Sequence, residues 1–156
     1  MARAHKVDLD CDEPFALAAA RAVEVRAAEV FEHSHGVLDV GDIERVHDMR
    51  VATRRLRAAM EVFESCLPRK RHRKALKRVK ALADALGERR DRDVAVELLE
   101  GLAGELPEAD RGALAALVES LREEQRLANE ELRPFVKRKR LKKLRRRLAK
   151  LVEAAR

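Results

Sequence analysis

Apolar side chains recur every three or four positions through most of the chain, which is the period of an amphipathic α-helix. Glycine and proline divide this pattern: Gly36 and Gly87 suit helix ends, and Pro134 predicts a kink or break near Leu132. The pattern predicts helices over about residues 13–35, 42–66, 69–86 and 91–102, followed by a helical stretch over about 108–155.

The predicted connections are short, so consecutive helices are expected to be antiparallel neighbours. No segment has the alternating pattern of a strand. The chain of 156 residues is long enough for one core. We therefore expect an all-α, antiparallel four-helix-bundle-like domain over residues 13–156, preceded by a short extension over 1–12. Its last helix is expected to be long and kinked.

Charge is distributed unevenly along the chain, although the formal net charge is only +7. Residues 1–41 have net charge −4 and residues 42–92 have net charge +8; residues 93–132 have −8 and residues 133–156 have +11. The chain also has four Phe and no Tyr or Trp. Basic groups confined to two segments indicate an anionic partner at a defined surface.

The second predicted helix brings four basic side chains to one face. At 100° per residue, His47, Arg50, Arg54 and Arg57 form a strip about 80° wide beside the apolar stripe. Arginine makes forked contacts to phosphate oxygens. We interpret the strip as a phosphate-binding surface. A solvated charged face, with His47 as an ordinary interior histidine, remains the alternative.

The third predicted helix repeats this design. Lys70, Arg73, Lys77 and Lys80 recur along one flank of its apolar face. Like charges at such spacings repel by a few tenths of a kcal/mol per pair. Two neighbouring cationic strips are therefore easier to explain if an anion lies between them, although solvated faces remain possible in principle.

Two segments closely resemble the landmarks of the CHAD family, the conserved-histidine α-helical domain. Residues 46–57 read VHDMRVATRRLR and resemble its histidine and arginine signature. Residues 82–94 read LADALGERRDRDV and resemble its second landmark, a Leu-Gly turn followed by Arg-Asp-x-Asp-Val. The similarity extends over roughly residues 13–152.

The resemblance implies a helical domain that binds inorganic polyphosphate through basic residues, without a cofactor or a metal. Position by position, the family's binding residues fall on the following side chains: His47, Arg50, Arg54, Arg57, Arg73, Lys77, Lys80 and Arg90. Family members usually pair two such bundles, and this chain corresponds to one N-terminal half. We therefore expect a homodimer that completes a two-bundle channel.

Other functions remain alternatives. A nucleic-acid-binding helical protein would use the same basic surface, but exposed aromatics for stacking are not evident. An enzyme is not expected, because no motif of a nucleophile, phosphate loop or metal centre occurs. Residues 137–150 hold ten basic groups, which fit a solvated helix back, further polyanion surface or a membrane-surface helix. A cytoplasmic location, in association with polyphosphate granules, completes the expectation.

Overall fold

Five α-helices and one short 3-10 turn make up the protein, of which the computed structural model describes residues 3–156. The elements are α1 (Phe15–Glu32), α2 (Ile43–Val62), the 3-10 turn (Glu64–Cys66), α3 (Arg69–Leu102), α4 (Glu108–Val136) and α5 (Arg138–Glu153). No strand occurs between residues 3 and 156, and the predicted all-α class is confirmed.

Helices α1, α2 and α5 and the first half of α3 surround one apolar core. Because aromatics are few, aliphatic side chains and methionine supply most of it. Its buried members include Val23 and Val30 of α1, Met49, Leu56 and Met60 of α2, Val79, Leu82 and Leu86 of α3, and Leu144, Leu148 and Leu151 of α5. The second half of α3 packs against α4, so the two form a helical hairpin at one end of the bundle.

Helix α3 is continuous over 34 residues, and the prediction of two helices separated at Gly87 was wrong. Gly87 does not have the positive φ of a helix-ending glycine; among the described residues only Gly36 has one, at 65°. Ion pairs one turn apart, Glu88 with Arg92 and Arg89 with Asp93, bridge the expected break. The second family landmark therefore lies within a helix and contains no turn.

Continuity through Gly87 also changes which side chains of α3 are buried. Val94 and Leu98 are apolar but 45% and 62% exposed. The buried positions after Leu86 are Arg89, Asp93 and Val96. Because a fully buried arginine is rare, the apolar period alone does not predict this pattern.

A buried polar network explains how α3 tolerates this arrangement. Arg89 Nη2 lies 2.9 Å from Asp93 Oδ1, and Arg89 Nη1 donates to Asn129 Oδ1 at 2.8 Å. Gln125 donates to Asp93 at 2.6 Å, and Asn129 donates to the Leu38 carbonyl at 3.0 Å. Burial raises the pKa of Asp93, while Gln125 and Arg89 act in the opposite direction. The network ties α3, α4 and the α1–α2 connection together.

The last helical stretch is broken, as predicted, but the break lies beyond the expected position near Leu132. Pro134 is accommodated inside the last turn of α4. The chain turns at Lys137, whose φ and ψ are −58° and 135°. The Lys137 carbonyl then accepts from Arg140 at 2.8 Å and Leu141 at 3.0 Å, so it starts α5.

The other predicted helix ends were a few residues too long. Helix α1 ends at Glu32, and α2 ends at Val62 before the 3-10 turn. Asp42 occupies the N-cap position of α2 but makes no side-chain capping bond; it pairs with Arg45 instead, at 3.0 Å. The N-terminal extension lies against α1, where Arg26 donates to the His5 carbonyl at 3.0 Å.

We predict opposite effects of alanine at two glycines. Nothing lies within 4 Å of a Cβ added at Gly87, so Gly87→Ala should raise the free energy of unfolding by about 0.5–1 kcal/mol. Gly36 has positive φ, and an added Cβ would lie 2.8 Å from Arg45 Nη1. Gly36→Ala should therefore lower the free energy of unfolding by about 1 kcal/mol or more. Urea unfolding measures both. A destabilised Gly87→Ala protein would contradict the continuous helix.

Candidate functional site

Three of the predicted arginines line one groove between α2 and α3. Arg50, Arg54 and Arg57 project into this space of about 370 Å³, which we call the arginine groove. They share one face because they recur at helical spacing on α2. Within the described chain, no ion pair is formed by Arg50 or Arg54, so both guanidinium groups are available to an anion.

The opposite wall of the arginine groove is acidic. Asp84, Glu88 and Asp91 line it from α3, together with Gly87. The continuous helix α3 places Asp84 and Asp91 beside the arginines. An anion in the groove would thus meet three cations on one side and three carboxylates on the other.

Glu61 neutralises two of the predicted cations. Its carboxylate accepts from Arg57 Nε at 3.1 Å and lies 3.1 Å from Lys80 Nζ. Hydrogen bonds from Lys80 and then from Arg57 hold the pKa of Glu61 below its usual range. The two cationic strips are therefore joined across α2 and α3 by a carboxylate that stays ionised.

Lys77 belongs to a different space, which we call the basic cleft. This cleft of about 510 Å³ lies between α3 and α5. Its cationic side chains are Lys74, Lys77, Arg78, Arg140 and Arg147. Lys74 and Arg78, which do not belong to the predicted strip of Lys70, Arg73, Lys77 and Lys80, line the cleft beside Lys77. None of the side chains that line it is acidic.

The basic cleft is the centre of a larger cationic surface. Residues 69–80 on α3 and 137–150 on α5 carry 18 of the 35 Lys and Arg residues and no Asp or Glu. The two helices are antiparallel: Arg71 donates to the Lys150 carbonyl at 3.5 Å, and the cleft joins residues 74–82 to 140–147. We call these two segments the basic surface. Sequence reasoning noted each segment but could not place them side by side.

The remaining predicted residues lie outside both spaces. Arg73 is exposed on α3. The Arg90 side chain is only 13% exposed, because it donates to the Ile43 carbonyl at 3.4 Å and faces Glu44 at 3.7 Å. His47 is half-buried. Its ring and the carboxylates of Glu44 and Asp48 place their ligand atoms within 4.8 Å of one another.

The group around His47 is one of two in the described chain with the spacing to hold a metal ion; the other is the exposed Asp10, Cys11 and Asp12. Arg90 already balances part of the Glu44 charge, so a metal ion would compete with it. Among the described residues, the buried histidine is His72, whose ring Nε2 donates a hydrogen bond to the Met60 carbonyl at 2.9 Å.

Comparison with known protein families identifies the family of the chain. The family model described as the CHAD domain matches residues 21–156. The chain therefore belongs to the CHAD domain family. A search of curated proteins gave no match. Along residues 3–156, no helix has the length and apolarity that crossing a membrane requires.

We predict that removing the Glu61 charge strengthens binding of a polyanion. Glu61→Gln frees Arg57 and Lys80, and since the group is solvent-exposed the gain should be at most about fivefold in affinity. Titration with long-chain polyphosphate at fixed ionic strength measures it. Glu119→Gln makes the same charge change on exposed α4 and should leave affinity unchanged. Equal effects of the two variants would show that only net charge matters.

Proposed function

We propose that this protein binds inorganic polyphosphate on the basic surface and in the adjoining arginine groove, without hydrolysing it. The observation that carries the proposal is the absence of carboxylates from residues 69–80 and 137–150. Polyphosphate has a charge on every phosphate and no bases, so rows of Arg and Lys suit its chemistry. Membership of the CHAD family supports the same ligand.

The charge arrangement favours the basic surface over the arginine groove as the main binding site. Apart from Lys80, which is paired with Glu61, the cations of the basic surface have no acidic residue among them and repel one another. A bound polyanion would relieve that repulsion. In the groove, by contrast, Asp84 and Asp91 oppose an anion. We therefore place the main contacts on α3 and α5 and give Arg50 and Arg54 a secondary part. A cytoplasmic site of action belongs to the same proposal.

The hydrolysis alternative now has an observation behind it, because carboxylates do face arginines in the groove. Metal-assisted phosphate chemistry needs carboxylates close enough to hold a metal ion. Asp84, Glu88 and Asp91 do not form a group with ligand atoms within 4.8 Å of one another, and Glu88 is paired with Arg92. This arrangement supports binding without catalysis. Release of phosphate from polyphosphate with added Mg²⁺ or Mn²⁺ would overturn that part of the proposal.

The decisive measurement is binding of labelled long-chain polyphosphate near physiological salt, with duplex DNA as competitor. Lys70→Ala/Arg73→Ala on α3 and Lys143→Ala/Lys150→Ala on α5 should each lower affinity by about tenfold or more, because each removes two charged contacts. Arg50→Ala/Arg54→Ala should have a smaller effect. In the α3 and α5 variants, affinity should also fall less steeply with salt than in the wild type, because fewer charged contacts release counterions.

Arg111→Ala/Arg126→Ala is the matched control, since it removes two positive charges from the acidic helix α4. Its affinity should equal that of the wild type. Equal losses in all variants, or displacement by DNA at equal phosphate concentration, would contradict a dedicated polyphosphate surface and favour a nucleic-acid-binding or non-specific polyanion-binding protein.

We also infer that two copies of the chain associate. The hairpin supports this, because Val94, Leu98 and Leu102 of α3 are exposed at 45%, 62% and 39%. They lie one turn apart on one face of the helix, away from the basic surface. Burial of this face between two copies would remove it from water without covering the cations, so this dimer would not enclose the two-bundle channel that the resemblance implied.

The dimer predicts a solution mass of twice the chain, which light scattering measures. Leu98→Glu should shift that mass toward the monomer, since it places a charge in the contact. Val62→Glu is the control: Val62 is 72% exposed on α2, and its replacement should leave the mass unchanged. A monomeric wild type, with and without polyphosphate, would end the dimer hypothesis.

A further inference from the structure

The basic cleft has an apolar floor that a linear polyphosphate does not explain. Ala81, Leu82 and Leu144 lie at its base, and Pro134 and Phe135 line it from the end of α4. Phosphate chains have no group that gains from contact with this floor.

The polar and apolar parts of the cleft are arranged along its length. Since α3 and α5 are antiparallel, Lys74 lies toward Arg147, and Leu82 lies toward the start of α5, beside the last turn of α4 that holds Pro134 and Phe135. Residues 74 to 82 span about 12 Å at 1.5 Å per residue. The cleft thus has a ring-bearing end, which also holds Arg140, and a cationic end within the length of one small molecule.

The break between α4 and α5 creates the apolar end. The last turn of α4 accommodates Pro134, and the chain changes direction only at Lys137. This leaves the Phe135 ring 38% exposed beside the cleft. Of the four phenylalanines, the other exposed one is Phe15, whose ring packs 5.3 Å from that of Phe63 on the far side of α1.

We propose that the basic cleft binds a nucleoside di- or triphosphate, with the base against Phe135 and Pro134 and the phosphates between the cations of α3 and α5. An aromatic ring beside a base supplies stacking, and guanidinium groups such as Arg140 and Arg147 make forked contacts to phosphate. The volume of about 510 Å³ lies in the range of small-molecule sites. The site shares all five of its cations with the proposed polyphosphate surface and depends on its apolar residues for selectivity.

ATP and inorganic tripolyphosphate provide the test, because they present comparable charge and only ATP has a base. In calorimetric titrations without divalent metal, ATP should bind the wild type about tenfold more tightly than tripolyphosphate. Phe135→Ala, and Ala81→Leu as a filling variant, should reduce ATP to the level of tripolyphosphate. Both variants keep the charge of the cleft, and thermal unfolding checks their folding.

Phe15→Ala is the control for removing an exposed ring and should keep the tenfold preference. Equal affinity for ATP and tripolyphosphate in the wild type, or a preference that survives both cleft variants, would overturn the proposal. Octyl phosphate binding as tightly as AMP would also overturn it, since the floor would then select any apolar group. If the protein binds long-chain polyphosphate but binds ATP no more tightly than tripolyphosphate, this inference alone fails. ATP bound without long-chain polyphosphate would overturn the proposed function alone.

Discussion

The continuity of α3 is the constraint on which the other features depend. Its first half forms one wall of the basic cleft, its middle forms one wall of the arginine groove, and its second half packs against α4 in the hairpin. A helix that ended at Gly87 would remove Glu88 and Asp91 from the groove. The buried pair of Arg89 and Asp93 supports this continuity, and a buried pair depends on additional hydrogen bonds to offset its lost hydration. Gln125 and Asn129 supply one each from α4, while Arg89 Nε and Asp93 Oδ2 have no hydrogen-bond partner among residues 3–156.

The balance of forces differs between the two halves of the molecule. In the bundle, aliphatic burial must offset the mutual repulsion of the basic surface, since no carboxylate lies within residues 69–80 or 137–150. In the hairpin, ion pairs within a helix are frequent: Glu123 with Arg126 and Glu130 with Arg133 hold the pKa of each carboxyl low. A bound anion stabilises the fold by mass action, and here it would act on the half that carries the unbalanced charge.

How far the sequence predicted the structure depends on the kind of signal. The prediction of α2 was confirmed because its apolar residues, among them Val46, Met49 and Leu56, follow the helical period without interruption. The division at Gly87 was wrong because glycine often follows the last residue of a helix, and the only sequence signal against it was the charge pairing just after Gly87, as between Glu88 and Arg92. The burial of Arg89 had no local signal, since it depends on Asn129, 40 positions away.

The candidate site was predicted in its components and missed in its assembly. The grouping of Arg50, Arg54 and Arg57 followed from spacing on one helix. The meeting of α3 with α5 depends on how the chain returns after α4, which periodicity does not encode. Consequently the basic cleft, its carboxylate-free wall and the exposed ring of Phe135 emerged only from the tertiary structure, whereas the acidic wall of the arginine groove required a continuous α3.

The segregation of acidic residues in 93–132 from basic residues in the bundle has a consequence for encounter in solution. Separated charges of opposite sign give the molecule an electric dipole along the direction from hairpin to bundle. A polyanion approaching from a distance exerts a torque on that dipole and turns the bundle toward itself before contact. Collisions are therefore oriented in advance, and the fraction of productive encounters should decline as the Debye length becomes shorter than the molecule.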